Sequence, residues 1–257
     1  MQAQRLLVHS IRQVFGNLGA AVRISGVLYV VQWAVSLVLG MTLAHRLQPV
    51  AGDQNAMMAA TKELIGPGLL GLVVVLLTDF WIAVAWHRYV LKEEASRGII
   101  PLFDGRRILG YFGTVLAIAG LVIVPALVIS LLIGTTIRAL LGDGFLPVLI
   151  AQVLMQTLLG AFAFRLSAVL AGVALEPGHR ISEAWQATEG ESATLLELAF
   201  YCALALAAAS IAGSVLFGGS VVLRIIYFFV AQWVITMVGI SILTTLYGHY
   251  VQKRPLV

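Results

Sequence analysis

Apolar residues run in long, nearly unbroken stretches along this chain, and polar residues gather in the gaps between them. About 20 consecutive apolar residues cross a hydrocarbon core roughly 30 Å thick, whereas a soluble core breaks its apolar positions into shorter amphipathic pieces. Six stretches meet this test: 24–44, 65–86, 108–134, 146–175, 193–217 and 221–246. Ahead of them, Leu7, Ile11, Val14 and Leu18 recur at helical spacing while Arg5, Arg12 and Gln13 fall elsewhere. That pattern predicts an interfacial amphipathic helix over residues 1–23. The first stretch is longer than the apolar part of a secretory signal, about 7–15 residues, and is expected to be a retained span. The fold class is therefore all-α: a polytopic membrane protein with six transmembrane helices and an N-terminal interfacial helix. Residues 24–250 form one membrane domain and 251–257 a short tail.

Several positions interrupt this pattern. Pro125 lies in the middle of the third stretch and is expected to kink it. The fourth stretch, at 30 residues, is overlong and carries Arg165, so it is expected to tilt or to run past the interface. Glu176-Pro177-Gly178 then breaks the helix, and Ser182 is the expected N-cap of a short interfacial helix over 182–187, with Trp185 at the headgroup level. Trp86-His87-Arg88-Tyr89 and Tyr247-Gly248-His249-Tyr250 follow the second and sixth stretches. The likeness is too short to establish duplication, although three hairpins of like orientation fit the spacing.

Composition agrees: 60% of residues are hydrophobic and 11% charged, against roughly a quarter charged in a soluble domain. Six spans put both termini on one side. That side carries twelve Lys and Arg, and the other only Arg46, Lys62, Arg138 and Arg224, which by the positive-inside rule makes the termini cytoplasmic. A net charge of +4 so placed suits membrane lipids with anionic headgroups, and no nucleic acid is expected as partner. Thirteen Arg against three Lys hint at a GC-rich bacterial genome, hence a bacterial cytoplasmic membrane. The one cysteine, Cys202, rules out a disulfide within the chain and any Cys-based metal site.

Candidate chemistry rests on charges inside the spans, which cost about 2.5–3.5 kcal/mol each at mid-membrane and usually face the bundle or a partner. Asp79, Arg165 and Glu197 qualify. By helical rise, Asp79 lies about 10 Å and Arg165 roughly 15 Å above the inner interface. Arg165 shares a face with Ala161, Ala168 and Gly172, a small-residue stripe suited to close helix contact. An Asp79–Arg165 ion pair is therefore expected, with Glu197 as the weaker second partner; it reads as a structural pair or as part of a proton or ion relay. Gln152 and Gln156 share a face of the fourth span and are expected to hydrogen-bond a neighbouring helix or to line a polar cavity. His87, Arg88, Arg106, Arg107 and Trp185 are the candidates for headgroup contact. No phosphate-loop or HExxH motif occurs, and no cofactor or metal is expected. The serines of 213–220 lie far from His249, so no Ser/His nucleophile is expected either.

The stretch AVAWHRYVLKEE, with FRLSAVLAGVALEPGHRISEAWQATEG over 164–190, resembles bacterial six-span inner-membrane proteins related to the membrane domain of glycerophosphoryl diester phosphodiesterase. The resemblance covers two of the three hairpins. It rests on Arg165 late in the fourth span, the break Glu176-Pro177-Gly178, and Glu183-Ala184-Trp185. It implies a polytopic membrane protein and imports no phosphodiesterase chemistry, because the catalytic domain is not in this chain. The expected function is a non-enzymatic assembly, accessory or membrane-organising role, with a membrane-protein partner or a homo-oligomer. The alternative is a transporter or lipid-handling protein with an inner-leaflet polar pathway around Asp79 and Arg165.

Overall fold

The computed structural model describes residues 1–48, 52–94, 98–176 and 178–256. Its elements are α1 (Gln2–Phe15), α2 (Leu18–Leu47), α3 (Gln54–Lys92), α4 (Gly105–Leu141), α5 (Phe145–Ser167), α6 (Val169–Leu175), α7 (Ile181–Ala187), α8 (Ser192–Phe217) and α9 (Val221–Leu246). A π-helical turn, Tyr247–Val251, extends α9. There is no strand among the described residues. Six helical segments are long and apolar enough to cross a membrane: α2, α3, α4, α5 with α6, α8, and α9 with its π turn. The chain is an all-α integral membrane protein.

Local chemistry sets several helix ends. Asp53 starts α3 by accepting from the amides of Asn55 at 2.9 Å and Ala56 at 3.1 Å. Asp104 starts α4 by accepting from the amide of Arg107 at 3.2 Å, and Ser220 caps α9 through Leu223. Gly142 follows α4 at φ +74°, a conformation that suits glycine. The 39 residues of α3 rise about 58 Å, nearly twice a hydrocarbon core. The expected spans 65–86 and 108–134 are thus the middles of longer helices. α4 runs on through Pro125.

The fourth stretch runs 31 residues, from Phe145 to Leu175. It divides at Ala168 into α5 and α6, and α6 packs against α3, α4 and α9, with all seven of its residues buried. The short helix after it begins at Ile181, with Arg180 at the cap position, so Ser182 is its second residue rather than its N-cap. Pro177 of the expected break, Arg97 and Val257 lie outside the described residues.

The N-terminal helix is also corrected. α1 ends at Phe15, and residues 18–23 already belong to α2. Its buried stripe is Ala3, Leu6, Ser10 and Val14, packed on α9 and α8, while Ile11 and Leu18 stay exposed. Ser10 Oγ lies 2.9 Å from Thr245 Oγ1, and Ser241 donates to Gln13 Oε1 at 2.7 Å. Hydropathy passes over this stripe because it contains an alanine and a serine, which pack by size and by hydrogen bonding.

Both chain ends lie on one face of the bundle, where Gln2 meets His249 and Tyr250. Around that face Leu6, Ile82, Trp86, Leu195, Leu198, Met237 and Leu246 are almost wholly buried. Toward the opposite face α2 buries nothing beyond Tyr29 and α4 nothing beyond Ile118. Many of their remaining apolar side chains, such as Val38, Met41, Leu127 and Leu131, are exposed, which lipid tails tolerate and water does not.

Candidate functional site

On α3, Asp79, Ala83, Trp86 and His87 fall at helical spacings of four and three, so they share one face. That face turns into the bundle: Ala83, Trp86 and His87 are buried. The His87 ring is closed off from solvent between α9 and α4. Its Nδ1 lies 2.8 Å from Thr244 Oγ1 and its Nε2 3.3 Å from Tyr111 Oη. The Thr244 hydroxyl donates its one proton to Ile240 O at 2.9 Å. Thr244 Oγ1 therefore accepts from His87 Nδ1–H, and in the neutral ring Nε2 accepts from the Tyr111 hydroxyl; this tautomer is assigned from the network.

Tyr111 brings this triad near Asp79 without a hydrogen bond to it. Its ring packs against His87 at 5.8 Å and against Phe80, next to Asp79, at 5.7 Å. Both Tyr111 and Tyr29 lie within reach of the Asp79 charge, and Gln32 sits beside the carboxylate. Tyr29 donates to Phe229 O at 2.7 Å and accepts from Trp33 Nε1 at 2.8 Å, which ties α2 to α9 at this level. Asp79 Oδ1 is buried without a hydrogen-bond partner, and no cationic group lies within 4.0 Å of the carboxylate among the described residues.

The expected Asp79–Arg165 pair is thus not formed. Arg165 Nη1 donates to Ser192 Oγ at 3.4 Å, and its guanidinium lies 3.9 Å above the Trp185 ring. Ser192 opens α8, so Arg165 sits at the end of a span and not some 15 Å inside one. Which helices adjoin is the reason the pair does not form. α5 packs mainly against α8 and α4, while α3 packs against α2.

Glu197 is likewise peripheral, accepting from Tyr201 at 2.7 Å and lying 3.8 Å from the N-terminal amine. Gln152 is exposed and Gln156 Oε1 is buried without a partner, so the expected interhelical hydrogen bonds of the glutamines are not made. His87 is no headgroup ligand, since it is wholly buried. Arg88 is partly buried and paired with Glu94, and Arg107 pairs with Asp104 at 3.2 Å. Arg106 is exposed, and Trp185, 40% exposed, lies under Arg165. Inspection of charged residues alone overlooks Tyr29, Gln32, Tyr111 and Thr244. The available signal is hydrogen-bonding side chains placed inside apolar stretches.

A second polar cluster lies at the terminus-bearing face. Tyr247 Oη is 3.4 Å from His179 Nε2, and His179 Nδ1 is 3.0 Å from Glu183 Oε2. That hydrogen bond holds the Glu183 carboxyl below the usual glutamate range. Tyr250, in the same π turn, donates to Glu191 at 3.3 Å. π turns recur at functional sites, and this one aims one tyrosine at a histidine and another at a carboxylate. No group of three or more His, Cys, Asp or Glu among the described residues is placed to hold a metal.

Comparison with family models, curated proteins and solved structures finds no match.

Proposed function

We propose that this chain is a proton-linked transporter of a bacterial cytoplasmic membrane, with both termini in the cytoplasm. Asp79 is the proton-exchanging group. Tyr111, His87 and Thr244 are the hydrogen-bonding groups that lead from its level toward the cytoplasmic face, since His87 is eight residues, about 12 Å of helix, from Asp79. The observation that carries this reading is the half-buried Asp79 carboxylate, which Gln32 alone hydrogen-bonds, whose Oδ1 is buried without a partner, and which has no cation within 4.0 Å among the described residues. An intramembrane carboxylate used only for structure is normally paired. The resemblance to the membrane domain of glycerophosphoryl diester phosphodiesterase is compatible with this role but assigns no substrate. Proteoliposomes under an imposed pH gradient provide the test. The parent chain is expected to dissipate the gradient faster than Asp79→Asn, and equal rates refute the reading.

The assembly role expected from the sequence has one specific support. Val8, Ile11 and Phe15 form an exposed apolar stripe on α1 beside Arg5 and Arg12, free to meet a partner or a second copy. Gentle extraction followed by mass analysis tests it, and a monomer without companions counts against it.

A further inference from the structure

Arg165 has lost its expected carboxylate partner, and its surroundings fit a different anion. We infer that Arg165, Trp185, Ser192 and the start of α8 form a binding site for the phosphate of an acidic phospholipid. Among the described residues no carboxylate lies within 4.0 Å of the guanidinium. Of its five N–H donors, Nη1 makes the long bond to Ser192, and Nε is buried without a partner. Stacking on Trp185 fixes the guanidinium plane and leaves its edges as the donors.

The opening of α8 adds to this. Its cap residue, Glu191, makes no side-chain cap bond, and that carboxylate is engaged by Tyr250. No side chain caps the positive end of this 26-residue helix, and its first two residues, Ser192 and Ala193, line the groove. An arginine, a serine and the uncapped start of a helix beside one space match a phosphate diester, which offers acceptors only.

The shape of the space selects lipid over soluble phosphate. Arg165 borders a groove of about 330 Å³ whose other walls include Ala161, Phe162, Ala193 and Leu196. These apolar walls belong to α5 and α8, so an acyl chain leaving the phosphate runs along the same two helices into the hydrocarbon. The alanines keep the groove open, and Phe162 meets the Trp185 ring edge to face at 6.1 Å. Trp185 lies beside Arg165 and the start of the α8 span, and amphipathic rings at span ends favour the headgroup layer.

The full chain, purified in detergent and mixed with phosphatidylglycerol or phosphatidylcholine, is stripped stepwise and weighed by native mass spectrometry. The parent is expected to retain one phosphatidylglycerol, and Arg165→Gln to retain about tenfold less, the worth of one charge-assisted bond to phosphate. Arg165→Lys is expected to recover part of the retention. Ala161→Trp, which fills the groove and keeps the arginine, is expected to lose the lipid too, and it alone decides the matter if Arg165→Gln does not fold. Equal retention by the parent and a folded Ala161→Trp chain overturns the site. Equal retention of phosphatidylcholine also overturns it, as does displacement of the lipid by glycerol 3-phosphate at matched concentration.

Discussion

Replacing His87 by alanine tests the buried triad most severely. His87 contacts three helices' worth of core without exposure, and two polar atoms depend on it: Tyr111 Oη at 3.3 Å and Thr244 Oγ1 at 2.8 Å. Thr244 keeps its bond to Ile240 O and loses only an incoming donor, whereas Tyr111 loses its acceptor. Leaving that hydroxyl unsatisfied costs about 1–3 kcal/mol, and the space of the imidazole adds roughly 2 kcal/mol. A loss of about 3–5 kcal/mol follows, large against a typical total of roughly 5–15 kcal/mol. Reversible denaturation in mixed micelles, followed by tryptophan emission, measures it. Tyr111→Phe in the His87→Ala background should cost less than in the parent, because the hydroxyl is already orphaned. If His87→Ala shifts stability by less than about 0.5 kcal/mol, as a surface residue would, the histidine is a headgroup ligand and the triad is wrong.

Gly172→Ala is expected to destabilise the terminus-bearing face by about 1–3 kcal/mol through overpacking, because a Cβ there would lie 2.6 Å from Tyr247 Cε2 and 3.0 Å from His179 Cδ2. Denaturation of that variant checks it. Glu183 titrates below the ordinary glutamate value because His179 hydrogen-bonds it. The stabilisation from this contact is therefore present at neutral pH and lost as pH falls through the depressed folded value. In an NMR titration His179→Ala is expected to move the Glu183 midpoint upward, and an unmoved midpoint contradicts the assignment. Gln13→Ala removes the acceptor of Ser241 and is expected to loosen α1 from α9, read as faster amide exchange along Gln2–Phe15.

The spans were legible because bilayer thickness sets their length and lipid tolerates almost no polarity within them. Asp79 stood out for the same reason. The absence of an Arg165 partner did not, because pairing depends on which helices adjoin, and α3 adjoins α2 while α5 adjoins α8 and α4. Nothing in RLSAVLAG signals which helices it meets: the residues that permit close packing of α6 against α3 and α4 are the same small ones that mark any membrane helix. His87 beside Arg88 has the appearance of a snorkelling interfacial pair. Whether a ring at a helix end is buried is decided by what crosses it, and here α4 and α9 bring Tyr111 and Thr244 from 24 and 157 residues away. The docking of α1 was hidden for a related reason, since its contact stripe uses Ala3 and Ser10 where a hydropathy reading looks for leucine and isoleucine.

The claim that Asp79 exchanges protons is tested most directly by infrared difference spectroscopy of the reconstituted chain through a pH titration. A carboxyl C=O band that converts to carboxylate, is absent from Asp79→Asn, and is altered by Tyr111→Phe is the expected result. An Asp79 band that stays in one form across the whole range in which the chain remains folded contradicts the account.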